Sequence, residues 1–529
     1  MAQTFNEITR NIVDRFLQNI LFVDDNAYQT EEKVNAFDAH EISSIFAQKG
    51  KLCTIFAPAT TGDIGFCNTL FSKSDVVVLD WYLRLKDPTQ LKDLEADAED
   101  DEPRGVYTKE MIKNIVEDAS DKKLKLIIVY TGDVTILDHI IEEIQETVSI
   151  YDTYQIDKKD KCRVYSQNVS ILVRAKSNGN ADNQLKYNDD LKSKILDYKN
   201  LPDFISEEFS IFVGGLLPDF ALSAIAAIRN NTSNILGVFS KDIDPAFLGH
   251  YVSIPDCNDA ISMLPKIFGT AVANLIEDEE LPFKEWILAW VKTRENSNVT
   301  IHDEEIEIKT DKLLEFVEST KSFKKKLKNS FGINIEYNEY EKEDAYKKNS
   351  IKMFTEDGFD LSNYRWAKLV QHSNLFSSPK NHRLTTGTII KYKAEEEDKW
   401  KYLICIQQSC DSVRISADEE RPFLFLPLVQ GIKGEAVVVG EQEHLIVDNK
   451  SYSIELHRFS PHVNNANITA ELKENGEYVF EDTDGKHFVW VAELKELFAQ
   501  HIVSAYASQL SRVGIDNSEW IRLVGKTKQ

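Results

Sequence analysis

The stretch Asn19-Ile20-Leu21-Phe22-Val23-Asp24-Asp25-Asn26 decides how the first third of the chain is read. Four apolar residues run together and end on two carboxylates. A short unbroken apolar run is the mark of a strand buried on both faces, as in a parallel sheet covered by helices. Open α/β sheets bind their ligands beyond the C-terminal strand ends, which is where Asp24 and Asp25 would stand. Three later runs repeat the pattern. Asp75-Val76-Val77-Val78-Leu79 ends on Asp80, Leu126-Ile127-Ile128-Val129-Tyr130 on Thr131, and Val169-Ser170-Ile171-Leu172-Val173-Arg174-Ala175 on Lys176. Parallel packing would bring three carboxylates, a hydroxyl and an ammonium to one edge. Singly, an acid after a strand is most often a loop start or a helix N-cap. The order and spacing of the four ends argue for a built site.

Three crowded carboxylates repel one another and call for a hard dication. Mg²⁺ takes oxygen ligands, keeps waters and leaves room for phosphate oxygens. The series strand-Asp-Asp, strand-Asp, strand-Thr, strand-Lys resembles the receiver domain of two-component response regulators, over roughly the first 180 residues. The resemblance implies that Asp80 is the phosphoacceptor and that a histidine kinase supplies the phosphoryl group. It implies Mg²⁺ as cofactor, held directly by Asp25 and Asp80, through water by Asp24, and by the backbone carbonyl of Tyr82. Thr131 would donate to one phosphoryl oxygen and Lys176 would pair with another. The chain departs from the family in three places. An insertion over 84–105, almost wholly acidic from Asp93 to Glu102, follows Asp80; Ser177 replaces the usual proline after the lysine; Val173 replaces the switch aromatic. The last two leave the phosphorylation chemistry in place and remove parts of the usual output switch.

At 529 residues the chain exceeds one core. Its 42% hydrophobic and 10% aromatic content describes globular protein. A net charge of −25 repels a duplex or an anionic membrane overall, so neither nucleic acid nor membrane is expected as a partner. The basic run from Lys321 to Lys328 reads as one solvated helix face. Six scattered cysteines without CxxC or zinc spacing, and no signal peptide, imply reduced thiols in a cytoplasmic protein. Pro218 and Asp219 interrupt Ser210 to Ile228, the most apolar stretch, so a span is not expected there.

The expected architecture is multidomain, α/β plus α plus β. Residues 1–180 form a doubly wound, flavodoxin-like receiver with five parallel strands, preceded by an amphipathic helix over 1–18 (Phe5, Ile8, Ile12, Phe16). Its helices are read at 31–49, 63–72, 107–119 and 134–148. The fifth strand is assigned to 169–175, with Arg163-Val164-Tyr165 competing. A helical domain over 181–276 packs on the receiver, and its helices over 210–249 carry enough apolar surface for a homodimer contact. A helical connector covers 277–380, with a linker at Ser377–Asn381. Residues 381–529 read as short strands with turn signals, a small β-barrel or sandwich, closed by a terminal helix from Ala492 to Arg512 and a tail over 513–523.

Three readings of the whole compete. In the first, the chain resembles the receiver proteins of prokaryotic conflict systems, specifically the intermediate of Detocs-type antiphage phosphorelays, which buffers stray phosphoryl groups. A cognate effector receiver protein would then be a further partner, and the chain would be no enzyme beyond its own phosphotransfer. In the second, the C-terminal domain is a toxic enzyme switched by Asp80; Cys410 with His444, His457 or His462 is its one conceivable nucleophile pair. The third, a haloacid-dehalogenase-like phosphatase, needs a second Asp two residues after the first. Position 82 is Tyr and position 26 is Asn, so it fails.

Overall fold

Why the N-terminal sheet forms is visible in the burial of its strands. The structure, a computed structural model, describes residues 3–28, 38–85, 105–119, 123–177 except 152, 189–376 except 255–256 and 356–357, and 382–510 except 394–398, 432, 462 and 464–465. The linker at 377–381, the tail over 513–523, His462 and nearly all of the acidic insertion lie outside those residues. The chain divides into two compact units, Met1–Ser297 with Ile308–Asn334, and Asn298–Glu307 with Ile335–Gln529.

In the first unit, strands β1 (Asn19–Val23), β2 (Leu52–Phe56), β3 (Val76–Leu79), β4 (Lys125–Thr131), β5 (Gln155–Ile156), β6 (Arg163–Tyr165) and β7 (Val169–Lys176) lie in the order β2-β1-β3-β4-β7-β6-β5. The first five of these pair in parallel. This is the flavodoxin-like order with its strands numbered along the chain. Both runs that compete for the fifth strand are strands. Val169–Lys176 is the parallel one, and Arg163–Tyr165 adds antiparallel to its outer edge.

Strand residues alternate between two apolar layers. Leu21, Val23, Val77, Leu79, Ile127 and Val129 face one cluster, with α3 (Thr61–Lys73), α4 (Val106–Ala119) and α5 (Leu137–Val148). Ile20, Phe22, Val76, Val78, Leu126 and Ile128 face the other, with α1 (Phe5–Phe16), α2 (Ala39–Gln48) and the helix Leu201–Val213. Helix α1 starts on a capping box in which the Thr4 hydroxyl accepts from the Glu7 N–H and the Glu7 carboxylate accepts from the Thr4 N–H. Its buried side chains are the four its periodicity called for, joined by Thr9 and Val13. Of the helix expected over 31–49, only Ala39–Gln48 falls in the described residues as helix. Helix α5 begins later than expected, because Val134–Ile136 forms a 3-10 turn capped by Asp133.

The segment after β7 is not wholly helical. Ile195–Leu196 returns as a two-residue strand parallel to Ala175–Lys176. The helices Leu201–Val213, Leu216–Asn230, Thr232–Val238, Asp244–Ser253, Cys257–Asp278 and Phe283–Val291 follow. Arg229 fastens Leu216–Asn230 to the sheet: its Nη2 lies 2.7 Å from Asp75 Oδ1 and its Nη1 donates to the Phe16 carbonyl at 3.0 Å. The Thr9 hydroxyl donates to Asp219 at 2.7 Å from the other side of the same helix–helix contact.

The second unit corrects the expectation of an all-helical connector. Ser297–Ile301 and Glu304–Ile308 form a β-hairpin whose turn residues His302 and Asp303 take φ of 51° and 61°. Val299, Ile301, Ile306 and Ile308 are buried at every second position, a period of two that charged neighbours disguise. The C-terminal β domain is one nine-stranded antiparallel sheet. Tyr478–Glu481 and His487–Glu493 belong to it although they were not expected as strands. The terminal helix accordingly starts later than expected, at Glu496, since the last strand runs through Ala492 to Glu493. Its Ala499, Ile502 and Tyr506 cover one apolar cluster; Phe423, Phe425, Phe459, Phe480 and Phe488 fill the other.

Candidate active site

Strand register assembles the candidate residues. Val23 pairs with Leu79, so Asp24 and Asp80 each stand one residue past a matched pair. Thr131 pairs with Ala175, which sets Lys176 one residue further on. Backbone bonds extend the sheet past those ends: the Asp80 N–H donates to the Val23 carbonyl at 2.9 Å and the Asp24 N–H to the Phe56 carbonyl at 3.1 Å. Carboxylate oxygens of Asp24, Asp25 and Asp80 come within 4.8 Å of one another. Asp24 and Asp80 are buried, Asp25 half-buried.

Lys176 closes the cluster. Its ammonium donates to Asp24 Oδ2 and to Asp80 Oδ1, each at 2.7 Å. The Asp24 carboxylate also accepts from the Asn26 N–H at 2.9 Å, and the Asn26 side-chain amide donates to Asp25 at 3.2 Å. The Tyr82 N–H donates to Asp80 Oδ2 at 3.1 Å. Burial pushes the Asp80 carboxyl up, with Asp24 and Asp25 adding to it against the pull of Lys176. Burial likewise raises Asp25, opposed by the Arg84 N–H. Burial works against the Lys176 ammonium, yet Asp80 and Asp24 hold its pKa above the usual lysine range. Among the described residues, one ammonium bonded to two of three clustered carboxylates leaves the site short of positive charge. Hard oxygen donors, crowded and under-neutralised, fit a Mg²⁺ ion.

Thr131 is fully buried at the end of β4, its hydroxyl 3.4 Å from the Asp133 N–H. Asp133 itself is committed elsewhere, accepting from the Thr135 N–H at 2.9 Å and the Thr135 hydroxyl at 2.6 Å. Cys410 is exposed and contacts Gln408 and Asp411. His444 is bonded to the Tyr364 hydroxyl at 2.8 Å, and His457 lies 3.3 Å from Glu455 and 3.6 Å from Asp482. Among the described residues, neither histidine is placed on the Cys410 thiol.

Several residues that shape the site were not singled out from the sequence. The Thr108 hydroxyl, fully buried on α4, donates to the Asp80 carbonyl at 2.7 Å. Trp81 is buried beside it, against Gly105, whose φ is +79°. A Cβ at Gly105 would run into the Trp81 indole. Gly105→Ala is therefore expected to destabilise the fold by about 1–3 kcal/mol through overpacking and left-handed strain. Chemical denaturation measures this; an unchanged midpoint would refute the bracket. On the other flank, the Lys176 ammonium lies 5.7 Å from the Tyr130 ring centre, and Tyr198 packs edge-on against that ring at 5.8 Å. Burial pushes the Tyr198 hydroxyl up to about 12. The signal for Tyr130 was its place immediately before Thr131; Tyr198 comes from beyond β7 and gave none.

A flavodoxin-like sheet with an Asp-Asp pair after its first strand, an Asp after its third, a Thr ending its fourth and a Lys ending its fifth defines the receiver class. In agreement, residues 16–181 match a family model described as a response receiver domain. That part of the chain is a receiver domain. No curated protein and no solved structure matches the chain. Among the described residues, no helix is long and apolar enough to cross a membrane.

Proposed function

We propose that the chain is the phosphoacceptor of a two-component-like phosphorelay in the cytoplasm, taking a phosphoryl group from a histidine kinase onto Asp80. The observation that carries this is the shared cation, Lys176 bonded at once to Asp24 and Asp80 inside a three-carboxylate cluster. Asp80 attacks phosphorus through a carboxylate oxygen while the imidazole of the donor leaves. Asp24, Asp25, Asp80 and the Tyr82 carbonyl would hold Mg²⁺, which would supply screening of the charge that builds on the phosphoryl oxygens. Lys176 exchanges its bond to Asp80 for one to a phosphoryl oxygen, and the Thr131 hydroxyl donates to another. Tyr130 and Tyr198 wall the Lys176 side. Asp25→Ala tests the metal assignment: it is expected to lose Mg²⁺ affinity and phosphotransfer while staying folded. Metal titration equal to wild type would refute it.

The same reading makes the chain a buffer in antiphage defence, of the Detocs intermediate kind, with a cognate effector receiver as a second acceptor and two copies joined through the helical segment that begins at residue 210. A sink must hold what it absorbs. Asp133 accepts from Thr135 through one carboxylate oxygen, and its charge opposes a hydroxide-like attacker. Tyr82, part-buried against the core, sits two residues past Asp80. Slow self-hydrolysis follows, and Tyr82→Ala is expected to shorten the phosphoryl lifetime several-fold. The alternative is an effector whose C-terminal domain is a toxic enzyme. Hydrogen exchange with and without phosphorylation separates them: a large change in protection over 382–510 favours the effector.

A further inference from the structure

The helices after residue 230 expose apolar surface that nothing within the described chain covers. Leu236 is 67% exposed, Val238 64%, Leu248 56%, Val252 76%, Ile267 46% and Phe268 48%. All ten residues 261–270 of the helix Cys257–Asp278 are exposed. By contrast Leu222, Ala226 and Ala227 of Leu216–Asn230 are buried, so the apolar surface expected over 210–249 is partly spent on the receiver core. The exposed helices belong together: the Phe239 and Phe268 rings lie 5.7 Å apart, and Asp244–Ser253 packs on Cys257–Asp278.

We infer that the face formed by residues 232–278 is the contact between two copies of this chain. It deepens the pairing proposed above by naming its surface, and it moves the centre from the helix Leu216–Asn230 to the helices beyond it. Three properties choose a second copy as the occupant. The first is area. At roughly 100 Å² apiece, the large apolar side chains of this segment offer on the order of 1,000 Å², against the ~800 Å² per partner of a standard interface. The second is charge. Residues 232–278 hold two lysines and six acids, a smaller fraction of charged side chains than the 28% of the whole chain. Interface cores are depleted in charged residues, and this stretch shares that depletion. The third is shape. A pair of packed helices brought against its own copy by a two-fold axis makes a four-helix arrangement, with the same apolar patch on both sides. Gly249, next to Leu248, has nothing within 4 Å of where a Cβ would lie, which leaves room for a facing helix.

Sedimentation of the full chain tests this. Wild type is expected at twice the mass of one chain at micromolar concentration. Leu248→Glu with Val252→Glu, both at exposed positions, is expected to weaken pairing at least a hundredfold and sediment as a single chain. Labelling of Asp80 in that variant is expected to match wild type, which shows the fold intact and separates this proposal from the phosphoacceptor reading. A wild-type chain that stays single up to tens of micromolar overturns the inference, as does a double variant that still pairs. Binding of a single chain to neutral lipid vesicles through this face, or its pairing with a different protein only, overturns it equally.

Discussion

Asp80→Ala is expected to abolish phosphoryl incorporation, by at least a hundredfold, from a phosphorylated kinase or from acetyl phosphate with Mg²⁺. Asp80 lies where three supports meet: its N–H is bonded to Val23, its carbonyl to Thr108, and its carboxylate to Tyr82 and Lys176. The other two carboxylates of the cluster are held differently. Asp24 is turned to Asn26 and Lys176, and Asp25 to Asn26 and Arg84. The variant is expected to fold, because the change removes one of three mutually repelling charges and leaves the backbone bonds in place. Full labelling of Asp80→Ala would move the phosphoacceptor to another residue and undo the account of the site.

Lys176→Ala carries the second large effect, on stability as well as transfer. Removing one partner of a buried ion pair costs about 3–5 kcal/mol, because the other charge stays buried without compensation. Here two carboxylates lose their cation, with Lys176, Asp24 and Asp80 side chains only 10%, 3% and 6% exposed. Three carboxylates within 4.8 Å then lose the ammonium bonded to two of them, and Mg²⁺ would neutralise them in its place. The variant is therefore expected to melt well below wild type without metal and to recover much of the difference in millimolar Mg²⁺. Transfer is expected to fall by about a hundredfold even then, since the charge aimed at the phosphoryl oxygen is gone. Equal melting of the two proteins without metal would show that Lys176 does not neutralise the cluster.

The parts of this molecule that could be read from sequence share a physical reason. A parallel strand buried on both faces must be apolar throughout, so β1, β3, β4 and β7 stand out as runs, and their polar ends mark the site. Antiparallel strands that face water on one side alternate, and short ones fade into their surroundings. This is why the hairpin at 297–308, the short antiparallel strand Arg163–Tyr165 and the strands at 478–493 were missed or undervalued. The charge cluster outside β7 was equally hidden. Asp160 is half-buried, yet Arg174 and Lys194, each 2.6–2.7 Å away, pull its pKa down to about 2. Arg163 and Arg174 both reach Glu208 on the following helix. These groups are far apart in sequence and meet only because the chain returns beside β7 through Ile195–Leu196, where the sequence lacks the proline expected after Lys176. The support of Asp80 by Thr108, and of Trp81 by Gly105, depends on contacts across the acidic insertion and has no local signature.

The most direct test of the central claim is to map the modification on the wild-type chain. The protein is treated with acetyl phosphate with and without Mg²⁺, the acyl phosphate is trapped by borohydride reduction, and peptides are sequenced by mass spectrometry. The account predicts one phosphoryl group per chain, on Asp80, formed only with Mg²⁺. Modification at Asp24, Asp25 or any residue outside the cluster, or equal labelling of Asp80 without a dication, would contradict it.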